Sequence, residues 1–261
     1  MAILSFNNTG QNSLGWRLGN QMFQYAGLLG IATKNGLTPY FNITDTYLGD
    51  CFKLGGVVNK IQEEEHHNIF DGNPCFNPGL FNLDNNLNFD LNGYLQTEKY
   101  FSHCETQVKK EFQFKDNIHD QAKEFLPEGQ LVSLHVRRGD YLDKPDYHTN
   151  LQIAYYESAM EKFKDHSPII FSDDIDWCRE NLSHISKEVH FSDNPPEDGN
   201  TGVYDDLCMM TMCDGHIIAN SSFSWWGAYL GGGTTVAPVH WNGPDAPQNF
   251  QDIYLKEWIL L

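Results

Sequence analysis

Two adjacent arginines, Arg137 and Arg138, directly follow a short apolar run carried by Leu131, Val132, Leu134 and Val136. His135, Gly139 and Asp140 stand with them in the stretch LVSLHVRRGDY. Guanidinium groups stay charged at any working pH, and their planar forks match phosphate oxygens. Two of them at the end of a buried strand suit a phosphate-rich ligand. A solvated turn whose arginines pair with neighbouring carboxylates is the plainer alternative. Further along, the stretch NSSFSWWG at residues 220–227 follows the apolar run HIIA and opens a helix. Ser221, Ser222 and Ser224 offer hydroxyls and backbone N–H groups to a phosphate there. Equally, Ser222 or Ser224 could act only as an N-cap. Trp225 and Trp226 read as core rather than as a sugar platform. A third group, Gly15, Arg17, Gly19, Asn20 and Gln21, crowds the start of a helical apolar stripe formed by Met22, Phe23, Ala26, Leu28 and Leu29. Helix N-termini favour anions, although Asn20 as an ordinary cap explains the same residues.

Other clusters are weaker. Asp174-Ile175-Asp176 is a D-x-D, a pattern that can carry a divalent ion to a diphosphate. It opens a helix, however, where carboxylates are favoured anyway. Residues 63–67, EEEHH, resemble a metal cluster on paper, but adjacent residues do not share a helix face, and a solvated charged face is expected. No G-x-G-x-x-G follows a strand, and no phosphate-binding G-x-x-x-x-G-K-[ST] or G-x-S-x-G elbow occurs. Arg138-Gly139-Asp140 spells an adhesion tripeptide, which would need an exposed loop and here abuts a buried strand.

The elements that must position these groups alternate. Apolar runs at 2–6, 131–136, 168–172, 189–192, 216–219 and 234–237 read as strands. Residues 14–35, 104–112, 155–163, 175–182, 202–214 and 223–230 read as helices, with Gly36 a helix stop. Such alternation implies parallel, doubly wound sheets, whose ligands bind outside the carboxyl ends of the strands. Residues 41–91 are rich in Asn, Asp, Gly and Pro and yield no clear elements. Residues 112–128 are polar and run into Pro127 and Gly129, which places a boundary between domains 1–128 and 129–261. The tail, 249–261, reads as a closing helix that packs back on the first domain.

The chain has 261 residues, enough for two modest domains. Its net charge of -18 argues against nucleic acid or an anionic membrane as partner. The six cysteines form no C-x-x-C and no zinc-finger spacing. The start, MAILSFNNTG, carries no basic n-region followed by an apolar core, and no apolar run reaches membrane-spanning length. Mostly buried thiols in a reducing cytoplasm, and no integral membrane segment, are expected.

Taken together the stretches resemble the α-1,2-fucosyltransferases of glycosyltransferase family 11. RLGNQMFQYA at 17–26, GYLQTEKYF at 93–101, HVRRGDY at 135–141, FSDDIDWC at 171–178 and IIANSSFSWWGAYL at 217–230 carry the resemblance, in the family's order. It implies an α/β fold of GT-B type, with two Rossmann-like domains whose parallel sheets face a cleft, the C-terminal one holding most of the donor. It implies a galactoside α-1,2-fucosyltransferase that moves L-fucose from GDP-β-L-fucose to the 2-hydroxyl of a terminal galactose, with inversion. The substrates are then GDP-fucose and a galactose-terminated oligosaccharide, with no metal and no cofactor. The resemblance assigns Arg137 and Arg138 to the diphosphate and places His135 and Asp173 near the nucleotide. It gives guanine recognition to Asp206, with Asp205 as the alternative. Asn220, Ser221, Ser222 and Ser224 go to the phosphates, Phe223 to the base, and Gly19 with Asn20 to the reacting sugar and phosphate.

Elementary chemistry agrees. Cleavage of the sugar–phosphate bond leaves new negative charge on the departing phosphate, which fixed cations stabilise as it develops. Arg138 or Arg137 can supply that charge in place of a divalent ion. The acceptor hydroxyl must lose a proton. Asp140 is a candidate base, or else a salt bridge that orients the arginines. A metal-dependent GT-A glycosyltransferase and a non-catalytic GDP-sugar-binding protein are the competing readings.

Overall fold

The computed structural model describes residues 1–7, 17–43, 46–59, 64–193 and 201–261. The chain divides into two compact units, Met1–Lys115 with Asn249–Leu255, and Asp116–Gln248 with Lys256–Leu261.

In the first unit, β1 (Ile3–Phe6), β2 (Thr38–Phe41), β3 (Val58–Asn59), β4 (His67–Asp71) and β5 (Phe89–Gly93) form one sheet. The order is β3-β2-β1-β5-β4, and every pairing is parallel. The long helix α1 (Leu18–Asn35) is buried along most of its length and stops at Gly36, whose φ of 67 suits glycine. Two of its glycines explain a close approach. A Cβ on Gly27 would lie 2.7 Å from Leu95 Cδ1, and one on Gly30 would lie 2.0 Å from the Tyr100 carbonyl oxygen. The segment after β5 therefore runs directly against the helix backbone. The short helix α2 (Leu48–Cys51) and α3 (Glu105–Glu111) complete this unit. Two of its buried hydroxyls are paired with carboxylates: Tyr25 Oη donates to Glu111 at 2.7 Å, and Tyr100 Oη donates to Asp71 at 2.8 Å.

In the second unit, β6 (Leu131–Val136), β7 (Ser167–Ser172), β8 (His190–Phe191), β9 (Gly215–Ile217), β10 (Thr234–Ala237) and β11 (Ile259–Leu260) form a parallel sheet. The order is β11-β10-β9-β6-β7-β8, the doubly wound arrangement, with β6 starting one half and β9 the other. Around it lie α4 (Asp116–Phe125), the one-turn α5 (Gly139–Leu142), α6 (Ile153–Met160), α7 (Ile175–Leu182), α8 (Thr201–Thr211) and α9 (Ser222–Gly231). The core gathers Val132, Leu134 and Val136 of β6 with Tyr156, Phe163, Ile170, Leu182, Ile217 and Val236. Trp225 and Trp226 are fully buried and belong to the core, as their sequence context indicates.

Several elements differ from expectation. The division falls between Lys115 and Asp116, ahead of Pro127 and Gly129. The reason is α4, which buries Ile118 and Ala122 and packs on α8. The tail is no helix. Gln251–Ile253 makes a single 3-10 turn grouped with the first unit, and Ile259–Leu260 pairs with β10. Strand pairing there satisfies backbone groups while Trp258 packs on Trp225, ring centroids 5.6 Å apart. The irregular stretch 41–91 contains α2, β3, β4 and most of β5. The edge strand β4 is mostly exposed and polar, which hid it.

Candidate active site

In a doubly wound sheet the crevice opens outside the carboxyl ends of the strands, at the point where the order reverses. In the second unit that point lies between β6 and β9. The chain leaving β6 is Arg137-Arg138-Gly139-Asp140, and the chain leaving β9 is Ile218-Ala219-Asn220-Ser221-Ser222. The two stretches singled out by residue type thus leave neighbouring strands at the reversal point. Side chains tie them together. His135 Nδ1 and Ser224 Oγ are 2.9 Å apart, the His135 and Phe223 rings are 5.7 Å apart, and Tyr141 Oη donates to the Asn220 carbonyl at 2.9 Å. His135 is buried, and burial, with the charge of Arg137 beside it, lowers its pKa to about 3. The ring is therefore neutral at any working pH.

Both arginines are engaged by carboxylates from the turn after β7. Arg137 pairs with Asp140 and, at 2.8 Å, with Asp173. Arg138 Nε donates to Asp174 at 3.0 Å, and its guanidinium carbon stands 3.8 Å from the centroid of the Trp177 ring. The Asp173 carboxylate also accepts from the backbone N–H of Arg138 at 2.9 Å. Asp174 caps α7 by accepting from the Trp177 N–H at 3.3 Å, so the D-x-D aspartate is occupied by an arginine and a helix end. Gly139 owes its missing side chain to Asp173: a Cβ there would lie 2.4 Å from Asp173 Oδ2. Both guanidinium groups are mostly buried, 16% and 20% exposed, which does not fit an adhesion loop.

At the start of α9 the N-cap is Ser221, accepting from the Phe223 N–H at 3.3 Å, rather than Ser222 or Ser224. Ser224 is buried against His135, while Ser222 and Phe223 are half-buried. Asn220 is buried and turns its amide Nδ2 to the carbonyls of Thr149 (3.0 Å) and Trp241 (2.8 Å), stapling two loops to the end of β9. On α8 the two aspartates differ. Asp205 is 3% exposed, and burial raises its carboxyl pKa; Asp206 is half-buried and accepts from Ser192 just beyond β8.

In the first unit, Asn20 is the third residue of α1, whose N-cap is Arg17, so Asn20 is not the cap. Its Oδ1 accepts from Gln96 Nε2 at 2.8 Å. Gly19 is buried in the same first turn, and Gly15 lies outside the described residues. Gln96 touches Asn20, and Trp177 and Asp174 touch Arg138, contacts that residue type alone did not single out; the motifs GYLQ and SDDIDW were the available signal. Glu64 to His67 lead into and begin the exposed edge strand β4, with Glu63 outside the described residues, and among those described no cluster of three His, Cys, Asp or Glu is placed to hold a metal ion. All six cysteines carry free thiols. Among the described residues no helix is long and apolar enough to cross a membrane.

The sequence profile of Glycosyl transferase family 11 matches residues 6–261. Galactoside alpha-(1,2)-fucosyltransferase 1 of Rattus norvegicus is 30% identical over 94% of this chain and 70% of its own length. Galactoside alpha-(1,2)-fucosyltransferase 2 of the same species is 29% identical over 95% and 75%. Among solved structures, the NodZ alpha-1,6-fucosyltransferase soaked with GDP-fucose superposes with a TM-score of 0.56 at 12% identity, covering 88% of this chain and 93% of that one. A mutant of Arabidopsis thaliana FUT1 in complex with GDP gives a TM-score of 0.58 at 10% identity, covering 95% and 71%. The two α/β units with parallel sheets are of the GT-B type, as the structural neighbours indicate. The chain belongs to glycosyltransferase family 11.

Proposed function

We propose that this enzyme transfers L-fucose from GDP-β-L-fucose to the 2-hydroxyl of a terminal galactose, inverting the anomeric centre to give an α-1,2 linkage. One observation carries the reading most: the two arginines after β6 and the serine-rich start of α9 leave neighbouring strands at the reversal point of a doubly wound sheet. The names of the family relatives support the linkage and the galactoside acceptor, and solved neighbours that hold GDP-fucose or GDP support the donor.

In this reading the galactose 2-hydroxyl oxygen bonds to the fucose anomeric carbon as the bond from that carbon to the β-phosphate oxygen breaks. GDP leaves with the electron pair, and the hydroxyl proton passes to a base. Arg138 is assigned to the leaving phosphate. Asp174 and Trp177 fix its guanidinium, so positive charge is in place before the transition state and costs no reorganisation. Arg137, paired on two sides, holds the diphosphate, and Asp140 braces it rather than acting as the base. Ser221, Ser222 and the first N–H groups of α9 contact the phosphates, while Ser224, buried behind them, holds the His135 ring rather than a phosphate. His135 and Phe223 lie by the nucleotide, with Asp173 organising the turn beneath it. Asp206 accepts from the N1 and N2 donors of guanine. Asn20 and Gly19 act on the reacting sugar and phosphate.

The test is incubation with GDP-fucose and a panel of galactosides, with linkage determined by NMR, in the presence and absence of excess EDTA. An α-1,2-fucosylated product that forms equally in EDTA is expected. Loss in EDTA with rescue by Mn²⁺ would restore the metal-dependent alternative, and GDP binding without product would restore the non-catalytic one.

A further inference from the structure

The transfer needs a group that takes the proton of the acceptor hydroxyl. In the second unit, the carboxylates beside the arginines are already engaged. Asp140, Asp173 and Asp174 each pair with Arg137 or Arg138. A proton on any of them would remove the counter-charge that fixes a guanidinium. His135 is sealed against Ser224, and burial beside Arg137 leaves it little affinity for a proton. His148 differs from all of these. Its ring lies flat on Tyr141, with centroids 4.0 Å apart and 4° between the planes. Tyr141 in turn is anchored through its hydroxyl on the Asn220 carbonyl, and the Arg137 guanidinium carbon stands 5.4 Å from the same ring. The Tyr147 ring meets the imidazole edge-on at 5.1 Å. The backbone is fastened too. The His148 N–H donates to the Lys144 carbonyl at 2.9 Å, His148 forms a β-bridge with Asn242, and the Gly243 N–H donates to the Tyr147 carbonyl at 2.9 Å.

These contacts fix the plane of the ring and use neither nitrogen. The ring is half-buried, and neither Nδ1 nor Nε2 is hydrogen-bonded to a described residue. Packing alone would be served as well by a phenyl ring. The charges around His148 are mixed. Partial burial is the largest influence and lowers its pKa below the ordinary 6.5; Asp140 supports the imidazolium, while Lys144 and Arg137 oppose it. The facing segment, Trp241-Asn242-Gly243, brings no charge. His148 is therefore neutral near pH 7, yet has a carboxylate at hand for the moment it is protonated. In an in-line displacement, the cation that holds the diphosphate and the base stand on the order of 10 Å apart, once hydrogen bonds and near-attack distances are allowed for. Arg137 and His148, both set against the Tyr141 ring, lie within that span of each other.

We propose that His148 is the general base of the transfer: an unprotonated ring nitrogen accepts the proton of the acceptor hydroxyl as that oxygen bonds to the fucose anomeric carbon. The electron pair of the breaking bond leaves with GDP, and the imidazolium, steadied by Asp140, then gives its proton to water. This rests on the reading that fucose is transferred, which leaves the base unnamed.

The experiment measures kcat from about pH 5 to 8, the range in which histidine titrates, with GDP affinity by calorimetry and the melting temperature. It compares the parent with His148→Phe, which keeps the stack on Tyr141 and removes both nitrogens, and His148→Gln, which keeps hydrogen bonding without basicity. The parent's kcat should fall about tenfold per pH unit below a midpoint under 6.5, because protonation removes the base. Each variant is expected to lose on the order of a hundredfold or more in kcat, the scale of a general base, and to lose the acid limb. GDP affinity and melting temperature should stay near parental values. Parental kcat in either variant overturns the inference, and so does an unchanged acid limb. A loss of GDP affinity in step with kcat overturns it as well, since His148 would then belong to the donor pocket. Should His148→Phe fail to fold, His148→Gln decides by the same readings. In each of these outcomes the parent still makes fucosylated product, and the functional reading stands. A parent that fucosylates no galactoside overturns the functional reading, and this role with it.

Discussion

The guanidinium carbon of Arg138 stands 3.8 Å from the centroid of the Trp177 ring, while its Nε donates to Asp174, the residue that caps the helix carrying Trp177. One turn of α7 thus supplies both a face and a counter-charge to one cation. Desolvated contacts of this kind are worth about 2 kcal/mol, and they align the group as well as hold it.

Removing the ring should therefore cost catalysis. Trp177→Leu is expected to lower kcat/KM by up to about thirtyfold, the rate equivalent of a desolvated cation–π contact, and Trp177→Phe by less. Arg138→Lys keeps the charge but loses the fork, so its kcat should fall on the order of a hundredfold while GDP still binds. Steady-state kinetics and calorimetry on these variants and Arg137→Lys check the assignment. Parental turnover in both lysine variants would contradict it.

Guanine recognition should reside in one carboxylate. Calorimetry is expected to show GDP binding more tightly than UDP or CMP. Asp206→Ala should remove a few kcal/mol of that affinity at most, the scale of a charge-assisted hydrogen bond. Equal affinity for the three nucleotides would end the assignment.

Acid should destabilise the second unit through two histidines. Burial, and for His135 also Arg137, holds His135 at about 3, and burial holds His216 at about 4, against an ordinary 6.5. Between about pH 6.5 and 4 the unfolded chain binds protons that the folded chain refuses, so stability falls as pH falls. Each ring contributes up to about 1.4 kcal/mol per pH unit in that window. Urea titrations from pH 7 to 4.5 should show a shallower decline for His216→Gln than for the parent. Identical slopes would show that the buried ring does not resist protonation.

A glycine in a helix interior is usually improved by alanine, by about 0.5–1 kcal/mol. Gly30 should reverse that sign. A Cβ there meets the Tyr100 carbonyl at 2.0 Å, a backbone atom that cannot swing aside. Gly30→Ala is expected to lose about 1–3 kcal/mol by overpacking, measured by thermal melting. Gly49→Ala, whose Cβ would meet nothing nearer than 4.0 Å, is the neutral control.

Legibility in the sequence followed locality. Wholly buried β6 could be read because charge begins abruptly where apolar residues end, and Arg137 and Arg138 had no packing reason to be there. Helix α7 and strand β10 occupy the residues their patterns indicate. The carboxylates that hold the arginines were not legible as their partners, because Asp173 and Asp174 lie 35 and 36 residues away. Gly139 stood out beside the arginines, but its reason was not legible, because the space a side chain would need is filled by Asp173, 34 residues on. Strands β4 and β5 escaped because polar residues interrupt them. Asp206 and Asp205, adjacent and chemically identical, differ through burial and through the Ser192 hydroxyl that Asp206 accepts from.

The reversal point between β6 and β9 also says something about time. Ser133 and His216, opposed across that pairing, are 83 residues apart in sequence. Joining those strands closes a long loop, and that entropy must be met before the contact rewards it. The crevice is expected to form late in folding, after β6 and β7 can already have paired. A diphosphate held there grips two stretches of chain only once they have met. Its binding therefore slows unfolding and does little to hasten refolding.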